Sequence, residues 1–247
     1  MSLKVFITGA SSGIGKQLAT DYAKEGAQVI ACGRNQQALH DLQQIAPNIT
    51  PLAFDVTNID DTKKALQCLP FQPELWILNA GVCEYIDNGI IDSDLISRVM
   101  AVNFQGVVNC IEGIQPLVRS GHRVAIVSSI AGELAMPRAE AYGASKVAIT
   151  YLARALRVAW RPSHVEISVV YPGFVATPLT AKNTFSMPMM ISAQQASLGI
   201  RKGLAKGKPH IYVPRVFTTM IRLIALLPYS LQQRLMKNLI REQGSNK

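Results

Sequence analysis

The 247-residue sequence is poor in cysteine, and its four cysteines lie far apart along the chain. Cys32, Cys68, Cys83 and Cys110 lack metal-ligand spacing, so we predict free thiols in a reducing compartment and no metal site. No basic leader or cleavage-type segment precedes the first apolar run, Leu3–Thr8. We therefore expect a cytoplasmic protein without a secretory signal.

Acidic residues are almost missing from the last fifth of the chain. Residues 1–200 hold 15 Lys or Arg and 15 Asp or Glu, whereas residues 201–247 hold ten basic residues and only Glu242. The net charge of +9 therefore arises in this last segment. Because no recognition motif or stacking platform accompanies the basic residues, we predict no nucleic-acid partner.

No apolar run in the C-terminal extension, residues 214–247, is long enough to span a bilayer. Val216–Leu227 has 12 residues and contains Arg222, whereas spanning needs about 20. Apolar and basic residues alternate beyond it: Leu231, Arg234, Leu235, Lys237, Leu239 and Arg241. Packing on the chain itself or on a subunit is favoured, since short apolar helices more often belong to cores. Peripheral contact with an anionic membrane surface stays open as the alternative.

Apolar, β-branched runs alternate with helical patterns over the first two thirds of the chain. Strands are predicted at Leu3–Thr8, Gln28–Cys32, Thr50–Phe54, Leu75–Asn79, Arg123–Ser128 and Glu166–Tyr171. Helices are predicted at Gly15–Glu25, Gln36–Ile45, Ile59–Cys68, Asp94–Glu112 with an extension to Val118, and Ala141–Trp160. This alternation predicts β-α-β units and a parallel sheet with right-handed crossovers.

A glycine-rich turn, Thr8-Gly9-Ala10-Ser11-Ser12-Gly13-Ile14-Gly15, joins the first strand to the first helix. Glycines permit a tight turn, and the helix N-terminus offers N–H groups and a positive dipole to a diphosphate. A merely flexible turn is the alternative. The pattern predicts an α/β protein: one Rossmann-type domain over residues 1–247, with a doubly wound parallel sheet of about seven strands, flanking helices and a C-terminal helical extension.

The end of the second strand indicates which dinucleotide the turn would hold. An NAD site places an acidic residue there for the ribose hydroxyls, whereas this chain has Cys32-Gly33-Arg34-Asn35. A guanidinium can bind a 2′-phosphate through two parallel hydrogen bonds. The sequence therefore favours NADP(H), with a solvated arginine as the alternative.

Tyr142 and Lys146 are four residues apart on a predicted helix and share one face. A phenol beside an ammonium can donate a proton with a lowered pKa, as a carbonyl requires when it receives a hydride. Such a pair arises easily by chance. Its position gives it weight, because Ser129 lies at the end of the fifth strand, where open α/β sheets carry their chemistry.

In this order, the motifs resemble the short-chain dehydrogenase/reductase family. The matching pieces are Thr8-Gly9-x-x-x-Gly13-x-Gly15, Asp55, Asn79-Ala80-Gly81, Asn103, Ser129, Tyr142-x-x-x-Lys146, Pro172-Gly173 and Thr177. They cover residues 3 to about 180, and no element of the family's catalytic pattern is missing. The resemblance implies an NADP-preferring oxidoreductase acting on CH–OH groups.

The resemblance also implies a role for each site residue. Tyr142 is the general acid for reduction and the base for oxidation, and Ser129 hydrogen-bonds the substrate oxygen. Lys146 binds the nicotinamide ribose and lowers the Tyr142 pKa, while Asn103 holds a water of a proton relay. The implied cofactor-binding residues are Gly9, Ser11, Ser12, Gly13, Ile14, Gly15, Arg34, Asp55, Val56, Asn79, Ala80, Gly81, Tyr142, Lys146, Pro172, Gly173, Val175 and Thr177.

Residues 174–200 follow Pro172-Gly173 and are interpreted as a mobile substrate lid. Up to residue 192 they read as irregular, and Met187, Met189 and Met190 form adaptable apolar surface there, with core filling as the alternative. Beyond, a helix is predicted at Gln194–Lys206 and a strand at Ile211–Val213. The lid favours a lipophilic ketone or secondary alcohol.

The family resemblance implies a homodimer or homotetramer. Two other functions stay open: a non-catalytic dinucleotide-binding scaffold, and an epimerase acting through a transient ketone. The intact set of Asn103, Ser129, Tyr142 and Lys146 speaks against the scaffold, because a retired enzyme would usually have lost one member.

Overall fold

The computed structural model describes residues 2–183 and 187–235, and a seven-stranded parallel sheet organises them. Its strands are β1 (Lys4–Thr8), β2 (Gln28–Gly33), β3 (Ile49–Ala53), β4 (Leu75–Leu78), β5 (Arg123–Val127), β6 (Glu166–Pro172) and β9 (His210–Val213). Their order is β3-β2-β1-β4-β5-β6-β9, so the order reverses between β1 and β4. In open sheets such a reversal creates a crevice outside the carboxyl ends of the strands.

Helices cover both faces of the sheet. They are α1 (Gly13–Lys24), α2 (Gln36–Ile45), α3 (Ile59–Gln67), α4 (Ser93–Met100), α5 (Gly106–Ile114), α6 (Glu140–Ala159), α7 (Ala193–Ala205) and α8 (Arg215–Ala225). Polar side chains cap the N-termini of several helices, as expected where first-turn N–H groups have no partner within the helix. The Asn58 side chain accepts from two first-turn N–H groups of α3, and Ser192 forms a capping box with Gln195 at α7.

The core has two layers because successive strand residues point to opposite faces. Val5 and Ile7 of β1 belong to a cluster with Leu18 of α1 and Ile200 of α7. Phe6, between them, belongs to a second cluster on the other face, with buried residues of α3, α5 and α6. Both layers exclude water from the sheet, which confirms the predicted doubly wound parallel architecture of seven strands.

Most predicted helices and strands agree with the structure to within one or two residues at each end. The long helix predicted from Asp94 to Val118 is wrong in two respects. A π-helical segment, Ala101–Gln105, interrupts it, and regular helix ends at Ile114. Pro116 accounts for the early end, because proline lacks the N–H needed to continue the hydrogen-bond ladder.

The lid segment is less irregular than predicted. Two short strands, β7 (Val175–Ala176) and β8 (Ile191–Ser192), pair in parallel and form a separate two-stranded sheet. The pairing brings the two ends of the segment together, a contact over sixteen residues that local sequence pattern does not reveal. Residues 175 and 191, near the two ends of the first part of the predicted lid, therefore lie side by side.

The C-terminal extension begins with α8, and residues 229–235 are again helical. Leu239, Lys237 and Arg241 of the predicted apolar and basic stripe lie outside the described residues. Within residues 2–183 and 187–235, no helix is both long enough and apolar enough to cross a membrane.

Helix α7 packs closely on β9 because Gly203 has no side chain. A Cβ atom at Gly203 would lie 2.8 Å from two carbons of Ile211, which is itself 3% exposed. Gly203→Val should therefore lower the free energy of unfolding by about 2 kcal/mol through overpacking. Urea denaturation followed by circular dichroism measures this change.

Lys202→Val is the matched control, because residue 202 lies on the exposed face of the same helix. It should change the free energy of unfolding by less than about 0.5 kcal/mol. Equal losses in the two variants would contradict the packing argument.

Candidate active site

The glycine-rich turn can adopt its path only with glycine at key positions. Gly9 and Gly13 have positive φ values of 66° and 55°. A Cβ atom at Gly9 would lie 2.8 Å from the Ala80 Cα, and one at Gly15 would lie 2.3 Å from the Gly9 carbonyl oxygen. The turn is therefore folded tightly against the end of β4, as expected for a backbone that approaches a ligand closely.

The turn leads into the N-terminus of α1, where Ser12 is the N-cap residue. The Ser12 side chain makes no capping hydrogen bond, so it does not satisfy the first-turn N–H groups of the helix. Such N–H groups, together with the positive end of the helix dipole, suit a diphosphate. The donor set at this turn therefore fits the phosphates of a dinucleotide.

A cavity of about 320 Å³ lies along the turn and the carboxyl ends of β1, β2 and β4. The predicted cofactor residues that line it are Gly9, Ser11, Ser12, Gly13, Ile14, Arg34, Asp55, Val56, Asn79, Ala80, Gly81 and Thr177. Thr8, Cys32, Gly33, Phe54, Val82, Val102, Pro178 and Leu179 also line it and were not predicted. Residues from six separate parts of the chain thus meet in one crevice.

Thr8 joins the two strands between which the sheet order reverses. Its buried hydroxyl oxygen accepts hydrogen bonds from the backbone N–H groups of Asn79, at 2.9 Å, and Ala80, at 3.1 Å. In return, the Asn79 side chain donates to the carbonyl oxygens of Thr8 and Gly9. Thr8 belongs to the motif seen in the sequence, but this structural role was not predicted.

Arg34 lies at the far end of the cavity, directly after β2. Its guanidinium is 67% exposed and lies 3.7 Å from the Asp55 carboxylate, a long ion pair of little energetic value at such exposure. The Ser11 hydroxyl would lie 3.2 Å from a Cβ atom at Gly33. A cation and a hydroxyl therefore flank the same corner, which suits a phosphate group.

The π-helical segment holds Asn103 in a fully buried position. Its side chain accepts from the Val82 N–H at 2.8 Å and donates to the Val82 carbonyl at 2.9 Å and to the Ser145 hydroxyl at 3.0 Å. A Cβ atom at Gly81 would lie 3.2 Å from Asn103 Oδ1 and 3.5 Å from Lys146 Nζ. Asn103 and Lys146 therefore border the cavity at Gly81.

Tyr142, Ser129 and Lys146 come together beyond that border. The Ser129 hydroxyl hydrogen-bonds the Tyr142 phenol and also accepts from the Ala131 N–H at 3.1 Å. The Lys146 ammonium is buried, donates to the Val127 carbonyl at 3.0 Å and lies 5.6 Å from the centre of the Tyr142 ring. The fifth strand and α6 thus assemble the predicted proton-donating group.

The expected lowering of the Tyr142 pKa by Lys146 is not observed. The pKa of Tyr142 is raised to about 12, chiefly by burial and also by the nearby Cys83, and only the Ser129 hydrogen bond acts in the opposite direction. Burial also lowers the pKa of Lys146 to about 8. The reason is that both groups are withdrawn from water, which disfavours the charged form of each.

Pro172, Gly173 and Val175 lie at the end of β6 and the start of the lid. The Gly173 N–H donates to the Val213 carbonyl at 2.7 Å, and Val175 is buried. These three residues do not line the cavity described above. Thr177 does reach it, since a Cβ atom at Gly13 would lie 3.3 Å from the Thr177 side chain.

Two residues after β4 were not predicted and lie close to the reacting group. Tyr85 hydrogen-bonds Cys83, and its hydroxyl donates to Asn183 Oδ1 at 2.7 Å. Asn183 in turn donates to the Met187 sulfur at 3.2 Å. This chain of contacts connects the predicted lid to the site, and no local motif marks it, because its members are about 100 residues apart.

A family model for the short chain dehydrogenases matches residues 4–187. The match covers most of the chain, and the chain therefore belongs to the short-chain dehydrogenase/reductase family. This confirms the resemblance inferred from the motifs.

Named relatives support the same assignment. An uncharacterized oxidoreductase of Myxococcus xanthus is 32% identical, over 90% of this chain and 91% of its own length. Dehydrogenase/reductase SDR family member 7B of Bos taurus is 33% identical over 71% of this chain, which spans 59% of that protein. The 11-beta-hydroxysteroid dehydrogenase A of Sesamum indicum is 31% identical over 71% of this chain and 53% of its own length.

Solved structures agree with the fold. A short chain dehydrogenase from Burkholderia cenocepacia in complex with NADP has 25% identity and a TM-score of 0.84, over 95% of this chain and 98% of that one. One from Burkholderia phymatum in complex with NAD has 20% identity and a TM-score of 0.79, covering 90% and 92%. The chain is thus an oxidoreductase of a family that uses NAD or NADP.

The lowered pKa of Lys146 predicts a specific dependence of stability on pH. Above about pH 8 the folded Lys146 is neutral, while an unfolded lysine keeps its proton to near pH 10.4. Because the unfolded state then binds more protons, the contribution of Lys146 to the free energy of unfolding rises with pH in this window. Between about pH 8 and pH 10, the free energy of unfolding of wild type should rise on the order of 2 kcal/mol more than that of Lys146→Met.

Urea denaturation of both proteins across this pH range measures the difference. Tyr142 is present in both proteins, so its contribution to the pH dependence cancels in the difference between them. A difference that stays constant or shrinks as the pH rises would contradict the assigned pKa direction.

Proposed function

We propose that the protein is an NADP(H)-dependent oxidoreductase that interconverts a carbonyl and a secondary alcohol. Tyr142 acts as general acid in reduction and as general base in oxidation. The observation that carries this proposal is the meeting of Tyr142 and Ser129 with the buried Lys146, whose ammonium lies 5.6 Å from the centre of the Tyr142 ring. The cavity that fits a dinucleotide ends at Gly81, beside the same lysine.

The cofactor, when bound, supplies a hydride for reduction or accepts one in oxidation. Tyr142 donates its phenolic proton to the substrate oxygen as negative charge develops there. Ser129 already shares a hydrogen bond with Tyr142, and its hydroxyl can also bind the same substrate oxygen. Two hydroxyls held in one place orient the oxygen and stabilise its charge without further reorganisation.

Lys146 is the group that returns a proton to Tyr142. Its lowered pKa of about 8 permits proton release near neutral pH more readily than from an exposed lysine. Asn103 holds the backbone at Val82 through two hydrogen bonds and borders Lys146 at Gly81. We assign Asn103 the role of keeping the proton path between Lys146 and water open at this border.

The choice of NADP(H) over NAD(H) rests on the corner formed by Arg34 and Ser11. Among residues 2–183 and 187–235, the exposed Arg34 side chain forms one long ion pair, so its guanidinium is available for a 2′-phosphate. The end of β2 carries no carboxylate that would repel such a group. The nearest carboxylate in this corner is that of Asp55, which follows β3 and lies 3.7 Å from the guanidinium.

The proposed substrate is lipophilic. Met189 and Met190 expose nearly half of their surface on the segment that follows Asn183, and Leu179 lines the cavity beside Thr177. Unbranched thioether side chains adapt to apolar molecules of different shapes. We assign the whole of 174–200 to a lid that contacts the substrate.

We also propose that residues 1–247 form one domain of a cytoplasmic homodimer or homotetramer. Helix α6 supports the assembly, because Val147, Tyr151 and Val158 are 51%, 77% and 75% exposed on it. Large apolar side chains with such exposure are typical of surfaces that a subunit covers.

Tyr142→Phe should remove nearly all turnover, by a factor of about 100 or more, because the proton donor is lost. Binding of NADPH should change little, and the fluorescence of the bound cofactor measures it separately. Turnover is followed as NADPH consumption with a panel of lipophilic ketones.

Tyr151→Phe is the matched control, since Tyr151 is an exposed tyrosine of the same helix. It should keep wild-type turnover. Substantial activity in Tyr142→Phe would remove the assigned role. Substrate conversion without net NADPH consumption would indicate an epimerase, and binding without any conversion a scaffold.

Arg34→Ala should weaken NADPH binding about tenfold or more, as expected for loss of a charged hydrogen bond to phosphate. NADH binding should stay within about twofold, because the proposed contact involves only the 2′-phosphate. Titration of each cofactor by fluorescence measures the two dissociation constants.

Arg157→Ala serves as the control for general charge effects, because Arg157 is exposed on α6, away from the cavity. It should leave both constants unchanged. Equal weakening of NADPH and NADH by Arg34→Ala would contradict the assigned cofactor preference.

A further inference from the structure

Helix α8 packs on the protein through only one of its faces. Phe217 and Thr218 are 5% and 0% exposed, and the Phe217 ring lies 5.2 Å from that of Phe174. The Arg222 guanidinium lies over the Tyr212 ring at 4.3 Å and fixes the same side. The start of the C-terminal extension therefore covers its own chain, as the sequence favoured.

The opposite face of α8 is apolar and exposed. Val216, Met220 and Leu223 are 63%, 51% and 60% exposed, and Leu227, directly after the helix, is 38% exposed. Their spacing of four, three and four residues places them in one row along the helix. Leu226, next to the last residue of this row, extends the exposed apolar surface and is itself 81% exposed.

The part of the chain around this row contains no carboxylate. No Asp or Glu occurs between Glu166 and Glu242, whereas ten Lys or Arg residues occur there. Arg215 directly precedes the apolar row on α8, and the exposed Arg222 lies within its length, with its guanidinium over Tyr212. Some of this charge is neutralised by other parts of the chain, since Arg201 pairs with Asp21 and Glu25 of α1. The apolar row nevertheless lies in a part of the chain with a large excess of basic residues.

The apolar row is connected to the exposed methionines of the lid. The Ile191 N–H donates to the Phe174 carbonyl at 3.0 Å, and Phe174 contacts Phe217 of α8 through the rings. Met189 and Met190, which precede Ile191, are 46% and 48% exposed. The lid entrance and α8 thus belong to the same side of the molecule.

We propose that the exposed face of α8 docks on an anionic lipid bilayer. The apolar row enters the boundary between headgroups and acyl chains, and the surrounding basic residues bind the anionic headgroups. The lid then lies next to the bilayer surface. This docking does not depend on the reaction that the active site performs.

Charge distinguishes a bilayer from other occupants of this face. A second copy would bring the same basic residues of α8, Arg215 and Arg222, against the first, and such like charges repel. A nucleic acid would satisfy the positive charge but would leave the apolar row uncovered. An anionic bilayer matches both the charge and the apolar row.

Sedimentation of the full chain with vesicles tests this proposal. Vesicles of phosphatidylglycerol and phosphatidylcholine in equal parts should carry the protein down at low salt. Vesicles of phosphatidylcholine alone should bind at least about fivefold less, because the headgroup charge contributes to the affinity. Salt of about 1 M should weaken binding to the anionic vesicles, since it shortens the screening length to about 3 Å.

Leu223→Glu should lower the partition onto anionic vesicles about tenfold or more, since it replaces an apolar side chain that enters the bilayer with a charged one. Arg215→Gln should lower it about fivefold. Ile45→Glu is the matched control, because Ile45 is 54% exposed at the end of α2, near the opposite edge of the sheet. It should bind as wild type does.

Urea denaturation establishes that each variant is folded before its binding is compared. Equal binding of Leu223→Glu and Ile45→Glu, or no binding of wild type to anionic vesicles, would overturn the proposal. A Leu223→Glu variant that loses a subunit contact in light scattering but keeps its vesicle binding would assign the face to a second copy and would also overturn it.

Discussion

The reversal of strand order between β1 and β4 is the constraint on which the site depends. At this point neighbouring connections leave to opposite faces of the sheet, and a crevice opens at the strand ends. The Thr8 hydroxyl holds the crevice in shape by accepting N–H groups from Asn79 and Ala80. Because the glycine turn begins at the next residue, its path against β4 follows from this link.

Burial is the second physical factor that shapes the site. It raises the pKa of Tyr142 and lowers that of Lys146, so both groups favour their neutral forms. A neutral phenol is a competent proton donor, and a lysine with a pKa of about 8 can release a proton near neutral pH. At neutral pH the phenol therefore keeps its proton, which is the form that the proposed reduction requires.

Sequence reasoning predicted the architecture and the family well, because both rest on local patterns. The strand-turn-helix context of the glycine turn and the four-residue spacing of Tyr142 and Lys146 are readable within single elements. The link between Tyr85 and Asn183, the pairing of β7 with β8, and the π-helical placement of Asn103 were not predicted. Each depends on residues far apart in the chain or on packing against a neighbouring helix.

The sequence by itself determined the alternation of strands and helices and the family. These follow from hydrophobic periodicity and from residue types at fixed spacings, which do not require knowledge of distant contacts. Only the tertiary structure decided the direction of the Tyr142 and Lys146 pKa shifts and which face of α8 is exposed. Both depend on how much water reaches a group, and that is set by what the rest of the chain packs against it.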